Sequence, residues 1–202
     1  MSATEAAPVR DYLYLASQSA RRRQLLAQIG VRHELLLPDA AEDSEALEAV
    51  RPDEAPADYV CRVTLAKLDA ARSRLQQRGL PSAPILCADT TVTLDGAILG
   101  KPHDDEDAAH MLERLSGRTH QVLTAVAVLE APHAAFAPAL VVQVSSVRFR
   151  ALEADEIVRY VASGESQGKA GAYAIQSQAA AWIAHIEGSH SGVMGLPLYE
   201  TA

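Results

Sequence analysis

The sequence is poor in cysteine and in aromatic side chains. Two of its 202 residues are cysteines, Cys61 and Cys87, and phenylalanine, tryptophan and tyrosine together make up 4%. Two isolated cysteines exclude a dense disulfide framework, a CxxC redox pair and a cysteine-based zinc site. This sparse cysteine usage favours the reducing cytoplasm.

Long apolar runs and the common cofactor motifs are also missing. No stretch approaches the roughly 18 apolar residues of a membrane helix, and residues 1–10 lack the apolar segment of a secretory signal. The patterns GxGxxG, GxxxxGK[ST], GxSxG and HExxH do not occur, which argues against Rossmann, P-loop, α/β-hydrolase and zincin sites. We therefore expect a cytoplasmic protein without membrane contact.

Acidic residues outnumber basic ones, which restricts the possible partners. The chain has 18 Lys and Arg against 26 Asp and Glu, a formal charge of −8. Such a molecule repels the nucleic-acid backbone, so no nucleic-acid partner is expected. Residues 10–32 run against this balance, because they contain five arginines and only one acid, Asp11. Any anionic ligand must bind at a local basic site of this kind.

The basic segment has the pattern of a strand, a polar turn and a helix. Residues 12–16 (YLYLA) predict a buried strand, and residues 20–29 predict a helix with its apolar stripe on Leu25, Leu26 and Ile29. Free backbone N–H groups and the macrodipole favour anions at a helix N-terminus. The alternative is a solvated, arginine-rich helix start. The residues at this candidate anion site are Ser17, Ser19, Arg21 and Arg22.

A second group of candidates surrounds an aspartate that follows an apolar strand. Residues 85–88 (ILCA) predict a strand that ends at Asp89, and residues 91–99 predict a hairpin that turns at Asp95-Gly96. Ligands often bind at strand ends in open α/β sheets. Oxygen ligands suit Mg²⁺, while a strand-end cap is the alternative role. Asp89 and Glu42, which lies in the acidic segment 38–56, are the candidate Mg²⁺ ligands. Lys67, in a predicted helix over residues 57–77, and Lys101 are candidate cations for an anionic ligand.

The second half of the chain continues as one domain. Helices are predicted over residues 104–115 and 153–162, and strands over residues 121–129, 140–149, 172–176 and 180–186. No flexible linker separates the two halves, so we predict a single domain over residues 1–202 with a cleft and with residues 1–11 as a leader. His120 is expected to be structural.

Six separated segments match one family as a set. They are LYLASQSARRRQLLAQIG, CADTTV, ILGKP, MLERLSGRTHQVLTAVAV, KAGAYAIQ and GLPLYET. In this order and with similar gaps, they closely resemble the Maf-like nucleoside triphosphate pyrophosphatases, over nearly the whole chain from Leu13. The resemblance implies an α/β fold related to inosine triphosphate pyrophosphatase, in which an elongated mixed sheet with flanking helices forms two lobes around a central cleft.

The resemblance also implies a reaction and the roles of residues in it. The reaction converts a nucleoside triphosphate and water to the monophosphate and pyrophosphate, with Mg²⁺ or Mn²⁺ as the divalent metal cofactor. Asp89 falls on the family's proton acceptor. The other positions that match family motifs are Ser17, Arg21 and Arg22 of the SxSxRR turn, Glu42 of the acidic loop, Lys67 of the helix and Lys101 of the GKP segment.

Two positions indicate a branch of the family. Thr90, in the segment Asp89-Thr90-Thr91, and Gln176, at the end of YAIQ, look like the branch that acts on dTTP and UTP. The alternatives are a pyrophosphatase for 7-methyl-GTP or noncanonical nucleotides, and a non-catalytic nucleotide-binding regulator of cell division. The family also suggests a possible homodimer.

Overall fold

The structure is a computed structural model that describes residues 10–39, 42, 46–130, 132 and 137–202. The first nine residues of the predicted leader lie outside the described residues, as do parts of the acidic segment 38–56 and of the loop at 131–138. Within the described chain, no helix combines the length and the apolar character needed to cross a membrane.

A mixed sheet forms the centre of the molecule. Its strands run in the spatial order β2-β1-β3-β5-β6-β7, with β4 beside β3. β1, β2 and β3 are mutually parallel, and the remaining pairs are antiparallel. This arrangement confirms the predicted α/β class with a mixed sheet. The strands are β1 Leu13–Leu15, β2 His33–Leu35, β3 Ile85–Leu94, β4 Ala97–Leu99, β5 Thr119–Leu129, β6 Ala139–Phe149 and β7 Ile183–Glu187.

β3 is longer than the sequence predicts. A strand ending at Asp89 was expected, but that prediction is wrong: β3 runs unbroken through Asp89, whose backbone pairs with Ala125 of β5. Residues 85–93 all have a register partner on β5, so the strand has no reason to end at the first polar side chain. Asp89 therefore lies in the middle of a strand.

The opposite edge of β3 is only partly covered. β1 pairs with Ile85 and Leu86, and β4 pairs with residues 92–94. Among the described residues, no strand covers this edge at positions 87–91. Asp89 lies at the middle of this uncovered stretch, which opens a cleft in the sheet.

Helices cover both faces of the sheet. Four of them lie near the positions that the periodicity predicts, whereas the two short helices after residue 189 were not predicted. Polar side chains cap the N-termini of several of the helices: the Ser19 hydroxyl accepts from the Arg22 N–H, and the Asp104 carboxylate accepts from the Asp107 N–H. Glu153 and Glu156 form a capping box. The helices are α1 Ala20–Gln28, α2 Pro56–Gln77, α3 Asp105–Leu115, α4 Ala154–Ala162, α5 His190–Met194 and α6 Leu198–Thr201.

Two hydrophobic regions flank the uncovered edge. Near β1, odd-numbered residues of β3 such as Cys87 pack against α2, and even-numbered residues such as Leu86 pack against α1. Beyond the edge, α3 and α4 pack on the other end of the sheet around the rings of Phe149 and Trp182. The two regions form the predicted lobes on either side of the cleft.

His120 belongs to the core of the second lobe, as expected. Its Nε2 shares a hydrogen bond of 2.8 Å with the Tyr173 hydroxyl, and its ring meets Phe149 edge to face. Burial lowers the pKa of His120 to about 4, so the ring is neutral near pH 7. Its role in the fold is structural.

The predicted strand over residues 172–176 does not form. Gly171 and Ala172 both take positive φ, 66° and 60°, and the chain turns there instead of extending. The Gly171 N–H donates to the Gly100 carbonyl, and the Ala174 N–H donates to the Tyr160 hydroxyl, so partners other than a strand satisfy this backbone.

The second predicted strand of this region forms only in part. Gln178–Trp182 is a 3₁₀ turn, and β7 begins after it at Ile183. Alternating apolar residues such as Tyr173 and Ile175 produced the strand pattern, yet their side chains reach the core from an irregular segment.

Gly171 is a position where the fold requires glycine. A Cβ atom there would lie 2.9 Å from Cγ1 of Val92, and φ is also positive. We expect Gly171→Ala to lower the free energy of unfolding by about 2 to 4 kcal/mol, from overpacking together with backbone strain. Gly79→Ala is the matched control, because φ is +58° and no atom lies within 4 Å of its Cβ position. Urea unfolding of both variants checks this, and equal losses would contradict the close contact with Val92.

Candidate active site

A cleft of about 840 Å³ opens at the uncovered edge of β3. Its walls come from the turn between β1 and α1, from one face of α2, from the middle of β3 and from residues 168–175 and 193–195. Residues far apart in the chain therefore face one cavity. Those with polar or charged side chains that carry the argument below are Ser17, Ser19, Arg21, Arg22, Glu42, Glu48, Lys67, Arg74, Asp89, Thr90, Thr91, Lys101 and Lys169.

The charge of the cleft is opposite to that of the whole chain. Six basic and three acidic side chains line it, a formal excess of three positive charges in a protein of −8. A concave basic surface of this kind concentrates anions. The cleft is therefore the place in the described chain where a strongly anionic ligand fits.

The turn before α1 positions two arginines at one end of the cleft. The Arg22 guanidinium donates to Ser17 Oγ at 3.2 Å and to Thr90 Oγ1 at 3.3 Å, and its Nε donates to the Gly195 carbonyl at 2.7 Å. The Arg21 Nε donates to the Met194 carbonyl at 3.2 Å. Burial lowers the pKa of both guanidinium groups, and the Asp89 carboxylate opposes that effect at Arg22. Neutral oxygens thus orient both side chains without cancelling their charge.

A chain of ion pairs crosses the middle of the cleft. The Lys67 ammonium lies 2.5 Å from Asp89 Oδ1 and 2.8 Å from Glu48 Oε1. The other Glu48 oxygen lies 2.6 Å from the Lys101 ammonium. Lys67 belongs to α2 and Lys101 to the loop after β4, so Glu48 connects the two lobes electrostatically. These three predicted residues are brought together by a glutamate that was not predicted.

Burial and charge act in opposite directions on these groups. Burial alone would lower the pKa of Lys67, but the Asp89 and Glu48 carboxylates outweigh it, so its pKa is raised. Burial alone would raise the pKa of Glu48, but Lys67 and Lys101 lower it below its ordinary value. Both side chains are therefore charged near neutral pH.

Glu42 lines the same cleft but has a different partner. Its two carboxylate oxygens accept from Arg74 Nε at 2.8 Å and Nη2 at 2.6 Å, while Arg74 Nη1 donates to the Leu36 carbonyl. These hydrogen bonds hold the pKa of Glu42 at about 2. Glu42 thus forms a bidentate ion pair with a buried arginine, apart from the chain of ion pairs at Asp89.

Three cations of the cleft have no carboxylate within ion-pair distance among the described residues: Arg21, Arg22 and Lys169. Lys169 is positioned by the turn at Ala170–Ala172 and faces the cleft from the second lobe. Burial lowers its pKa, and the nearby Arg21 charge adds to that effect. These cations form the part of the cleft that can neutralise a ligand's charge.

Sequence reasoning missed Glu48 and Lys169. Glu48 is one of several acids in a charged segment, where nothing in the pattern distinguishes an inward side chain from a solvated one. Lys169 had one available signal, since lysines are scarce in this chain and it begins the KAGAYAIQ segment. Both are placed by tertiary contacts that residue spacing does not contain.

The family resemblance associates Arg21, Thr90 and Gln176 with base selection, and the last two of these differ in their surroundings. The Thr90 hydroxyl bonds to Thr124 Oγ1 at 2.9 Å and lies in the cleft beside Arg22. Gln176 is exposed and lies outside the residues that line the cleft, whereas its neighbour Ile175 lines it. Thr90 is therefore held in a network inside the cleft, and Gln176 is an exposed residue outside its lining.

Comparison with curated proteins gives relatives over nearly the full length. A dTTP/UTP pyrophosphatase of Burkholderia pseudomallei is 61% identical over 98% of this chain and 93% of its own length. One of Burkholderia orbicola is 64% identical over 94% and 90%. One of Albidiferax ferrireducens is 60% identical over 95% and 94%.

Among solved structures, the chain is similar to a HAM1 protein from Coxiella burnetii. The TM-score is 0.43 at 19% identity, over 69% of this chain and 73% of that one. A TM-score this low does not establish a shared fold, so the topology above stands on its own strand pairing.

The match to a protein family is close to complete in length. Residues 12–202 match the family described as Maf-like protein. This range includes both lobes and every residue of the cleft named above. The family was expected from six short segments of the sequence, and the match extends that likeness across the intervening chain. The chain belongs to the Maf-like protein family.

Proposed function

We propose that this protein is a nucleoside triphosphate pyrophosphatase that hydrolyses dTTP and UTP to the monophosphate and pyrophosphate. The observation that carries the proposal is the basic cleft with Asp89 at its centre, in a chain about as long as relatives named dTTP/UTP pyrophosphatase. A triphosphate brings about four negative charges, so its hydrolysis depends mainly on positioning and charge neutralisation. The net positive charge of the cleft suits that requirement.

The cations of the cleft suit different parts of such a substrate. Arg21, Arg22 and Lys169 have no carboxylate partner among the described residues, so they can neutralise phosphate oxygens without first breaking an ion pair. Ser17 and Ser19 supply hydroxyl groups and an N-cap at the same end, where the N-terminus of α1 adds its dipole. We assign this end to the triphosphate.

Asp89 is the proposed proton acceptor. It is 7% exposed and lines the cleft, and the Lys67 ammonium, 2.5 Å from its Oδ1, holds the carboxylate in place. In the proposed reaction, water attacks the α-phosphorus, the bond to the bridging oxygen breaks and pyrophosphate leaves. Asp89 takes the proton of the attacking water. Lys67 and Lys101 are assigned to stabilise the charge that develops on the phosphate oxygens.

The family resemblance implies a divalent cation, Mg²⁺ or Mn²⁺, and the described side chains offer oxygen ligands for one. Asp89 has a second oxygen, and the buried Thr91 hydroxyl in the cleft has no hydrogen-bond partner. Glu42 was predicted as the other metal ligand, yet its two oxygens bond Arg74. When bound, such a cation lowers the pKa of a coordinated water and neutralises phosphate charge.

The rival functions predict different substrates or none. A pyrophosphatase for 7-methyl-GTP or noncanonical nucleotides would use the same phosphate site with a different base. A regulator without turnover would bind nucleotides and release no pyrophosphate. The printed names of the relatives favour the dTTP/UTP assignment. A cytoplasmic location and a possible homodimer remain predictions.

A panel of nucleotides tests the proposal. We expect pyrophosphate release from dTTP and UTP with kcat/KM values about tenfold or more above those for GTP, CTP and 7-methyl-GTP, with Mg²⁺ or Mn²⁺ present. Pyrophosphate and monophosphate are quantified separately, because release of inorganic phosphate would indicate a different bond. A preference for GTP or 7-methyl-GTP would contradict the substrate assignment.

Asp89→Asn tests the proton acceptor. The substitution is nearly isosteric, so we expect a folded protein whose kcat for dTTP falls by on the order of 100-fold or more, since asparagine cannot accept the proton. Steady-state kinetics give the rate, and circular dichroism checks the fold. Asp95→Asn, at the exposed hairpin turn, is the matched control and should keep the wild-type rate. A folded Asp89→Asn protein with wild-type turnover would rule out the assigned role.

Gln176→Ala tests base selection. An amide offers both a donor and an acceptor, which the uracil and thymine edges require, and losing such a partner costs roughly 1 to 3 kcal/mol. We expect discrimination of dTTP over GTP, as a ratio of kcat/KM values, to fall by about tenfold. Because Gln176 is exposed and outside any strand, unfolding stability should not change. Unchanged discrimination would contradict this role and indicate that residues lining the cleft, such as Ile175, select the base.

A further inference from the structure

The two carboxylate oxygens of Glu48 contact two different lysines, Lys67 and Lys101. Hydrogen bonds from α2 to the neighbouring backbone carbonyls fix its position. The Tyr59 hydroxyl donates to the Glu48 carbonyl at 2.9 Å. Arg62 donates to the carbonyls on either side, of Leu47 at 3.3 Å and Ala49 at 2.9 Å. Three hydrogen bonds from α2 thus fix the backbone at Glu48, which directs its side chain into the cleft.

Arg62, which donates two of these hydrogen bonds, is itself held by Glu54. Arg62 Nε and Nη2 donate to the two oxygens of Glu54, at 2.5 and 2.7 Å, and Glu54 also accepts from the Arg51 N–H. Because this backbone is fixed and both carboxylate oxygens contact lysines, the Glu48 side chain has few conformations to lose when it binds a ligand. The inward placement of Glu48 is therefore a specified feature of this fold.

Glu48 and Asp89 already share one cation. Their oxygens Oε1 and Oδ1 both lie within hydrogen-bond distance of the Lys67 ammonium, at 2.8 and 2.5 Å. Two carboxylates that converge on an ammonium group are disposed to share a divalent cation, which prefers oxygen ligands. Glu42 does not share this cation with Asp89, because its two oxygens bond Arg74, which is only 6% exposed.

A buried hydroxyl without a partner near Asp89 is a second, independent observation. Thr91 lies two residues along β3 from Asp89, on the same face of the strand, and is 1% exposed. Thr91 is one of the residues that line the cleft, and its buried Oγ1 has no hydrogen-bond partner. A buried hydroxyl without a partner is unfavourable unless a ligand satisfies it. A bound cation, or a water that the cation holds, would satisfy it.

The charges of the two carboxylates and the two lysines also favour a ligand that includes a cation. Glu48 and Asp89 balance Lys67 and Lys101, so these four side chains together attract a bare triphosphate little. A triphosphate that arrives with a divalent cation brings a partner for the two carboxylates and releases the two lysines for its oxygens. The group therefore favours the metal complex of the nucleotide over the free nucleotide.

We propose that Glu48, rather than Glu42, is the partner of Asp89 in holding the divalent cation, an inference that rests on the proposed function for its substrate. In this assignment Lys67 competes with the cation for the two carboxylates. Glu42 serves to tie the acidic segment to α2 through Arg74.

Direct measurement of Mn²⁺ binding tests the proposal without turnover. Nucleotide-free protein is titrated with Mn²⁺, and free Mn²⁺ is followed by electron paramagnetic resonance. We expect Glu48→Gln and Asp89→Asn each to weaken Mn²⁺ binding by about tenfold or more, since each removes a charged ligand. Glu42→Gln and the exposed surface variant Glu113→Gln should bind Mn²⁺ as the wild type does.

A variant with the opposite expected effect excludes a merely structural role for Glu48. Lys67→Met removes the competing ammonium, so its Mn²⁺ affinity should rise several-fold above the wild-type value. Circular dichroism and the urea midpoint confirm that each variant folds. Wild-type affinity in Glu48→Gln, loss of affinity in Glu42→Gln alone, or no Mn²⁺ binding by the wild type would overturn the proposal.

Parallel assays separate this inference from the proposed function. Pyrophosphate release from dTTP is measured on the same wild-type preparation. If Mn²⁺ affinity depends on Glu48 while no nucleotide is hydrolysed, the cation pair is supported and the proposed function fails. If dTTP is hydrolysed while Glu48→Gln binds Mn²⁺ normally, the proposed function is supported and the cation pair fails.

Discussion

The uncovered edge of β3 is the constraint on which the site depends. One strand is shared by both lobes, and its outer edge is divided between β1 at one end and β4 at the other. Full pairing with β5 keeps the backbone extended through the gap. Because neighbouring side chains point to opposite faces, Asp89 meets Lys67 on the α2 side and Thr90 meets Arg22 on the α1 side. The two halves of the site are thus fixed relative to each other by one peptide bond.

The charges of the cleft are organised in two ways. At the α1 end, carbonyl and hydroxyl oxygens orient the arginines and leave their charge available. In the middle, carboxylates pair with Lys67 and Lys101, and their charge raises the pKa of the largely buried Lys67. An exposed ion pair contributes little to stability, but breaking a largely buried one is unfavourable unless a ligand replaces the lost partner. The middle of the cleft therefore favours a ligand that carries both positive and negative charge, because such a ligand can replace both partners of an ion pair.

The sequence predicts much of the fold because its local signals agree with the tertiary structure. The helix starts at Ser19, Asp104 and Glu153 carry their own capping groups, and the Asp95-Gly96 turn specifies its hairpin. Local signals fail where long-range partners decide. β3 continues through Asp89 because β5 pairs with it, and the alternating pattern at residues 172–176 describes core packing without a strand.

The same distinction applies to the candidate site. Residues next to recognisable local structure, such as Arg22 at a helix N-terminus and Asp89 after an apolar run, are found by pattern. Glu48 is not, because its direction depends on hydrogen bonds from Tyr59 and Arg62, which lie 11 to 15 residues beyond the carbonyls that accept from them. Glu42 was selected by its position in an acidic segment. That position does not predict its ion pair with Arg74, 32 residues further along the chain.

The carbonyls that orient Arg21 and Arg22 come from Met194 and Gly195, 173 residues later in the chain. During synthesis, the first helix leaves the ribosome long before these carbonyls exist. A nascent chain thus carries the arginine pair without the groups that direct it, and closing so long a loop is a late step in folding. The anion-binding end of the cleft is completed only after Met194 and Gly195 have been made, so shorter nascent copies do not carry a finished site.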